Sequence, residues 1–255
     1  SSMSQNVLIT GAASGIGFYI AEQLARAGHT IIVTDLNEQQ AQQAAQKIVN
    51  QGGNAHGYAL NVADSQAIED FFSTFTQPVD VLINNAGIQH VAKLEDFPAD
   101  KWLLLQQVML VGPAMMSKAV LPRMREQNFG RIINIGSIHA MVASKYKSAY
   151  IAAKHGLIGF TKTMALETGN ANITINTVCP AYVKTPLVEQ QIVSQAKEHG
   201  ISEQQVIDTI MLAPMPKKAF IGLDEIYHTV TFLMADAARN ITAQAIPIDG
   251  GWTAQ

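Results

Sequence analysis

Tyr150 and Lys154 stand four residues apart in Ala149-Tyr150-Ile151-Ala152-Ala153-Lys154. On a helix this spacing puts both on one face, one turn and about 6 Å apart along the axis. A tyrosine hydroxyl titrates near ~10 and is a poor base at neutral pH. A neighbouring ammonium favours the phenolate, so the pair can make Tyr150 a proton acceptor. The spacing alone equally describes an amphipathic surface pair. What raises it is Ser137, which follows the apolar run Arg131–Ile135 and can hold a substrate oxygen beside the tyrosine.

A second set lies near the N-terminus, in Val7-Leu8-Ile9-Thr10-Gly11-Ala12-Ala13-Ser14-Gly15-Ile16-Gly17. This reads as strand, turn and helix start. Small residues let the backbone approach a pyrophosphate, and the helix N-terminus offers free N–H groups and a positive dipole end. The glycine spacing is G-x-x-x-G-x-G rather than the general G-x-G-x-x-G fingerprint, and by itself it also fits a tight strand–helix connection. Asp35 ends the next apolar run, where a carboxylate accepts hydrogen bonds from an adenosine ribose and repels a 2′-phosphate. Ala12, Ala13 and Leu36 provide no neutralising cation, so NAD is expected over NADP. A helix-capping role for Asp35 or Asn37 is the plainer alternative and is compatible with cofactor binding.

These groups need a scaffold that gathers them. Apolar runs at Val7–Thr10, Thr30–Thr34, Ala55–Leu60, Val79–Ile83, Arg131–Ile135, Thr174–Val178 and Ala245–Ile248 predict strands. Between them, Gly15–Ala27, Glu38–Gln51, Ser65–Thr74, Ala99–Glu126, Ser148–Gly169, Ser202–Leu212 and Asp224–Met234 predict helices. This alternation predicts a single α/β domain over residues 1–255, a doubly wound parallel sheet of the Rossmann type with helices on both faces. Ligands then bind beyond the carboxyl ends of the strands. The stretch 184–220 carries Pro186, Pro214 and Pro216 and no strand; it reads as a helical excursion, a candidate substrate lid.

Composition narrows the class. The chain has 255 residues, is 48% hydrophobic and 15% charged, and carries a formal net charge of −3. Those values exclude a disordered chain and give no basic stripe for nucleic acid. The most apolar stretch, Val108–Met116, is interrupted by Gly112 and Pro113 and is too short to span a membrane. Ser1–Asn6 shows no export-signal pattern, and Ser1 and Ser2 are set aside from fold reasoning. Cys179 is the only cysteine, which rules out an intrachain disulfide and a cysteine-based zinc site; no metal is expected. Together these features point to the cytoplasm.

On these residues the chain resembles the short-chain dehydrogenase/reductase family along its full length. Thr10 to Gly17 matches its cofactor turn, Asn84-Asn85-Ala86-Gly87 its motif after the fourth strand, Ser137, Tyr150 and Lys154 its catalytic residues, and Asp249-Gly250-Gly251 its C-terminal signature. The resemblance implies cofactor contacts at Gly11, Ser14, Gly15, Ile16, Gly17, Asp35, Asn61, Val62, Asn85, Ala86, Gly87, Tyr150, Lys154, Pro180, Val183 and Thr185. It also implies a homotetramer.

Within the family, Gly87-Ile88-Gln89-His90-Val91, Ser137-Ile138-His139-Ala140, the stretch from Ala143 to Tyr150 and the ending Gly250-Gly251-Trp252 resemble the bacterial 3-hydroxybutyrate dehydrogenases. That branch implies a substrate carboxylate held by Gln89, His139, Lys147 and Gln191, with Tyr182 and Trp252 packing the alkyl end beside Ser137 and Tyr150. The expected reaction is NAD-dependent interconversion of (R)-3-hydroxybutyrate and acetoacetate. The alternatives are a reductase for another short 3-oxo acid or acyl thioester, and a non-catalytic NAD-sensing module. Three positions depart from the family pattern: Met109 stands for an asparagine that helps a proton-relay water, Asn61 for an aspartate near adenine, and Ala181 for a glycine.

Overall fold

Alternate residues of each strand enter opposite cores, which is how a parallel sheet covered on both faces must be built. In β1 (Asn6–Ile9), Val7 and Ile9 join one core and Leu8 the other. The computed structural model describes residues 4–254, so Ser1 and Ser2 lie outside the described residues. The other strands are β2 (Thr30–Asp35), β3 (Asn54–Ala59), β4 (Val81–Asn84), β5 (Gly130–Ile135), β6 (Ile173–Pro180) and β7 (Ala245–Ile248). They form one parallel sheet of seven strands in the order β3-β2-β1-β4-β5-β6-β7. The order reverses between β1 and β4, the position where such sheets open a crevice.

Helices α1 (Gly15–Arg26), α2 (Glu38–Asn50) and α9 (Leu223–Met234) cover the face that holds Val7, Ile31 and Ile83. Helices α3 (Ser65–Thr74) and α5 (Gly112–Gln127), with part of α6 (Ser148–Glu167), cover the face that holds Leu8, Ile32 and Leu82. Each fully buried Ile, Leu or Val contributes about 1.5–3 kcal/mol, so the two cores fix the strand ends against one another.

The predicted single helix Ala99–Glu126 is instead α4 (Ala99–Gln106), a widened π turn at Gln107–Val111, and α5. Gly112 lies where a Cβ would come within 2.8 Å of the Val62 carbonyl, so the helix passes hard against the loop after β3. The π turn absorbs the offset this approach demands. Residues Ala99–Gln127 are together long and apolar enough to cross a membrane. That corrects the expectation of no such stretch; Met116, Val120 and Met124 in it are packed into the sheet core.

The 184–220 stretch begins just beyond the end of β6, and its flanking residues Val183 and Ile221 form an isolated parallel bridge outside the sheet. Between them lie α7 (Pro186–His199), α8 (Glu203–Val206) and a π turn at Ile207–Met211, where one continuous helix Ser202–Leu212 was expected. Val188, Ile192, Val206 and Met211 make a small core of their own against Tyr182 and Trp252.

Candidate active site

The glycine turn is held by a hydroxyl and an amide that the sequence reading did not single out as its support. Thr10 Oγ1 accepts the N–H groups of Asn85 and Ala86, each at 3.0 Å. The Asn85 amide donates to the Thr10 and Gly11 carbonyls, each at 3.1 Å. This ties the loop after β1 to the loop after β4 across the crevice. Gly11 and Gly15 have φ of +62° and +60°, the left-handed region that favours glycine. A Cβ on Gly17 would come within 2.4 Å of the Asn85 amide nitrogen, so Gly17 serves close packing and does not itself line the crevice.

The crevice is a cleft of about 370 Å³ whose walls include Gly11, Ser14, Gly15 and Ile16 at the start of α1. Asp35 with Leu36, Asn61 with Val62, and Asn85, Ala86 and Gly87 complete it. Ser14 is the N-cap of α1, yet its side chain bonds no helix N–H, which leaves its hydroxyl for a ligand. Asp35 accepts the Ala13 N–H at 2.9 Å and the Leu36 N–H at 2.8 Å, so its carboxylate is fixed at the end of β2. It caps no helix: Asn37 does that for α2. Among the described residues no lysine or arginine lines this cleft. Volume, free helix N–H groups and a fixed carboxylate fit the adenosine and pyrophosphate of a dinucleotide.

A second, smaller cleft of about 90 Å³ adjoins the first; Ile16, Thr185 and Leu187 line both. Ser137, His139, Tyr150, Gln89, Lys147, Tyr182 and Gln191 all face it, with Pro180 and Val183. Ser137 is delivered by β5, whose end is braced by a buried chain of polar groups. Asn84 donates to Asn134 at 2.9 Å, Asn134 donates to Thr161 at 3.2 Å, and Thr161 meets Thr177 at 3.2 Å. Apolar periodicity carries no trace of that chain, and only the polar residues interrupting three buried strands and α6 could have hinted at it.

Tyr150 comes from the first turn of α6, and Lys154 follows one turn later with Nζ 5.5 Å from the tyrosine ring centre. Lys154 faces neither cleft; its ammonium donates to the Ile135 carbonyl at 3.3 Å. Burial lowers Lys154 to about 8. Burial raises the Tyr150 hydroxyl, and a hydrogen bond with Ser137 opposes the rise. The expected net lowering of the tyrosine by its lysine is therefore reversed, because desolvation of the phenolate outweighs the charge. Cys179 is buried and pushed up to about 11, first by desolvation, as suits a core thiol.

Lys147 is not the solvated charge its residue type would suggest. It is 3% exposed, its ammonium donates to the Tyr182 hydroxyl at 2.5 Å, and burial lowers it to about 8. The preceding residue, Tyr146, has φ of +71° and its carbonyl accepts the Ala92 N–H at 2.9 Å. Such a conformation costs a bulky side chain on the order of 1–3 kcal/mol, and here it turns Lys147 inward. His139 is engaged at both ring nitrogens, Nδ1 with Ser137 at 3.3 Å and Nε2 with Ser144 at 2.8 Å. Burial, then the Lys147 charge, takes it down to about 3, so it is neutral. Gln191 is buried with its Oε1 unpartnered. Trp252, expected at the alkyl end, stands behind His139 with ring centres 6.0 Å apart and does not line this cleft. Met109 packs with Leu105, Ala149 and Ala153, and its thioether supplies no proton-carrying group. Ala181 avoids positive φ, so the alanine is accommodated without strain.

The arrangement brings a hydroxyl pair, one buried cation and a set of amides to one small cleft beside a dinucleotide-sized one, with a second buried lysine behind the tyrosine. Comparison with known proteins agrees with that pattern. The short chain dehydrogenase family model matches residues 5–196. A D-beta-hydroxybutyrate dehydrogenase of Rhizobium meliloti is 42% identical, over 99% of this chain and 100% of that one. A 3-oxoacyl-acyl-carrier-protein reductase of Vibrio cholerae is 35% identical, over 96% of this chain and 95% of that one. Among solved structures, an actinorhodin polyketide ketoreductase with NADPH superposes with a TM-score of 0.92 at 31% identity, covering 98% of this chain and 97% of that one.

Proposed function

We propose that this chain, which belongs to the short-chain dehydrogenase family, is an NAD-dependent dehydrogenase that interconverts (R)-3-hydroxybutyrate and acetoacetate. The observation that carries this reading is the small cleft. Gln89, Lys147 and Gln191 converge there on a volume of about 90 Å³, together with Ser137 and Tyr150. A buried cation flanked by amides is chemistry for one small carboxylate. A carrier-bound thioester would need an open mouth, and this cleft has little room for one. The relative from Rhizobium meliloti supports the same choice.

A nicotinamide held in the larger cleft would accept the hydride that leaves C3 of the hydroxy acid. The chain's own residues do the rest. Lys147 and the two glutamines hold the carboxylate and so fix C3 against the cofactor cleft. Ser137 donates to the substrate oxygen. Tyr150 takes the hydroxyl proton on its phenolate oxygen. Lys154, with Nζ 5.5 Å from the ring centre, favours that phenolate against the burial that opposes it. His139, occupied at both nitrogens, positions Ser137 rather than gripping the carboxylate directly. Asp35 favours NAD, because its fixed carboxylate repels a 2′-phosphate and, among the described residues, no cation lines that cleft to offset it.

The test is NADH formation from (R)- and (S)-3-hydroxybutyrate, with NAD and NADP in parallel. Turnover of the (R) isomer with NAD is expected, and Tyr150→Phe is expected to lower kcat by about 10²–10⁴-fold with NAD binding retained. NAD binding without turnover of either isomer would overturn the substrate and favour a cofactor-sensing module.

A further inference from the structure

Lys147 and Tyr182 have cavities on both sides. Across their hydrogen bond from the reacting cleft lies a chamber of about 340 Å³ that they also line. Helix α7 faces the two spaces with successive turns: Gln191 lines the reacting cleft and Gln195, four residues on, lines the chamber. Gln195 is 5% exposed, and its Nε2 has no hydrogen-bond partner. An unpaired buried amide donor costs about 1–3 kcal/mol, and a turn of the Gln195 side chain that brings Nε2 to an acceptor in the chamber removes that cost. Ser144, Lys145 and His199 supply the other polar wall and Ile210, Pro214 and Trp252 the apolar one; among the described residues no carboxylate lines the space.

We propose that this chamber is a second carboxylate site, in which Gln195 is the neutral donor and Lys145 and Lys147 the cations, with Trp252 and Ile210 against the alkyl part. An uncharged acceptor would satisfy Gln195 alone; two lysines with no counter-ion among the described residues of the same wall select an anion. Because Lys147 serves both spaces, an anion in the chamber draws its ammonium away from the reacting cleft. Occupancy therefore weakens productive substrate binding, and excess carboxylate restrains the enzyme. The ligand is a small aliphatic carboxylate, either a separate monocarboxylate or the distal group of a dicarboxylic acid. The inference does not depend on which substrate the reacting cleft takes.

The chain has two tryptophans, so Trp102→Phe leaves Trp252 as the sole reporter. Acetate and glutarate are titrated into that protein, with sodium chloride at matched ionic strength as the control. Acetate is expected to give a saturable change in Trp252 emission that Gln195→Leu weakens about tenfold or more, while Gln191→Leu leaves it within about threefold. Gln195→Glu, which keeps the side-chain size and adds a repelling charge, gives the same loss if the leucine variant does not fold. Glutarate binding no tighter than acetate assigns the chamber to a separate monocarboxylate; tighter binding that needs both glutamines assigns it to a distal carboxylate. No saturable change with acetate, a change that survives both Gln195 variants, or one lost equally in Gln191→Leu overturns the proposal. Turnover is not needed for any of these readings, so loss of the hydroxybutyrate activity and loss of the chamber site are separate results.

Discussion

Two buried lysines set the pH behaviour expected of the site. Lys147 and Lys154 are each lowered to about 8 by desolvation. Below that value Lys147 carries the charge that attracts a carboxylate; above it the charge is lost. KM for the hydroxy acid is therefore expected to climb as pH passes about 8, while the kcat profile reflects Tyr150 and Lys154. Lys147→Arg should remove the climb, since guanidinium stays protonated to beyond ~12. Lys147→Ala should raise KM for the acid and leave NAD affinity unchanged; equal losses in both would sink the clamp. Tyr150, Lys154 and Ser137 were legible from spacing, because a helical turn and a strand end leave little choice of position. Gln195 was not, although it repeats Gln191 at the four-residue spacing, since on an otherwise polar helix nothing in the sequence tells an inward glutamine from an outward one. The inward turn of Lys147 was equally hidden: it follows from left-handed backbone at Tyr146, a residue type that does not announce it.

At the scale of elements, the strands were legible to within a few residues because most are apolar runs rich in Val, Ile or Leu, although β3, Asn54–Ala59, contains none of the three. The two π turns were not. They answer to contacts distant in sequence, as where Gly112 meets the Val62 carbonyl. The glycine turn is the element most open to test. Gly17→Ala forces a methyl to within 2.4 Å of the Asn85 amide and 2.6 Å of the Gly11 carbonyl. Asn85 ties the β1 and β4 loops together, so the change should cost about 1–3 kcal/mol and weaken NAD binding at the same time. Thermal denaturation and NAD titration of one sample check both; a lowered Tm with full NAD affinity would separate the packing of this turn from its role in the crevice.

For the whole molecule, a ligand that binds only the folded state stabilises it in proportion to its affinity. NAD at a hundred times its Kd should add about 2.7 kcal/mol, or roughly 5–10 °C in Tm for a chain of this size. NADP at the same concentration should give a clearly smaller shift, and equal shifts would remove the discriminating role of Asp35. Leu103, Leu104, Val111 and Leu166 on α4, the π turn and α6 are exposed apolar surface that self-association would cover; the family resemblance implies a tetramer, and a four-chain mass in sedimentation is the check.

The bridge between Val183 and Ile221 has a consequence for how such a protein diversifies. The segment between them begins and ends at adjacent points and carries much of its own core, whereas the hydride-transfer groups lie outside it. It is thus a cassette: its length and residues can be exchanged by mutation or grafting while its anchors stay where they are. Selection can rewrite what the enzyme accepts through Gln191 and its neighbours and leave untouched the machinery that reacts.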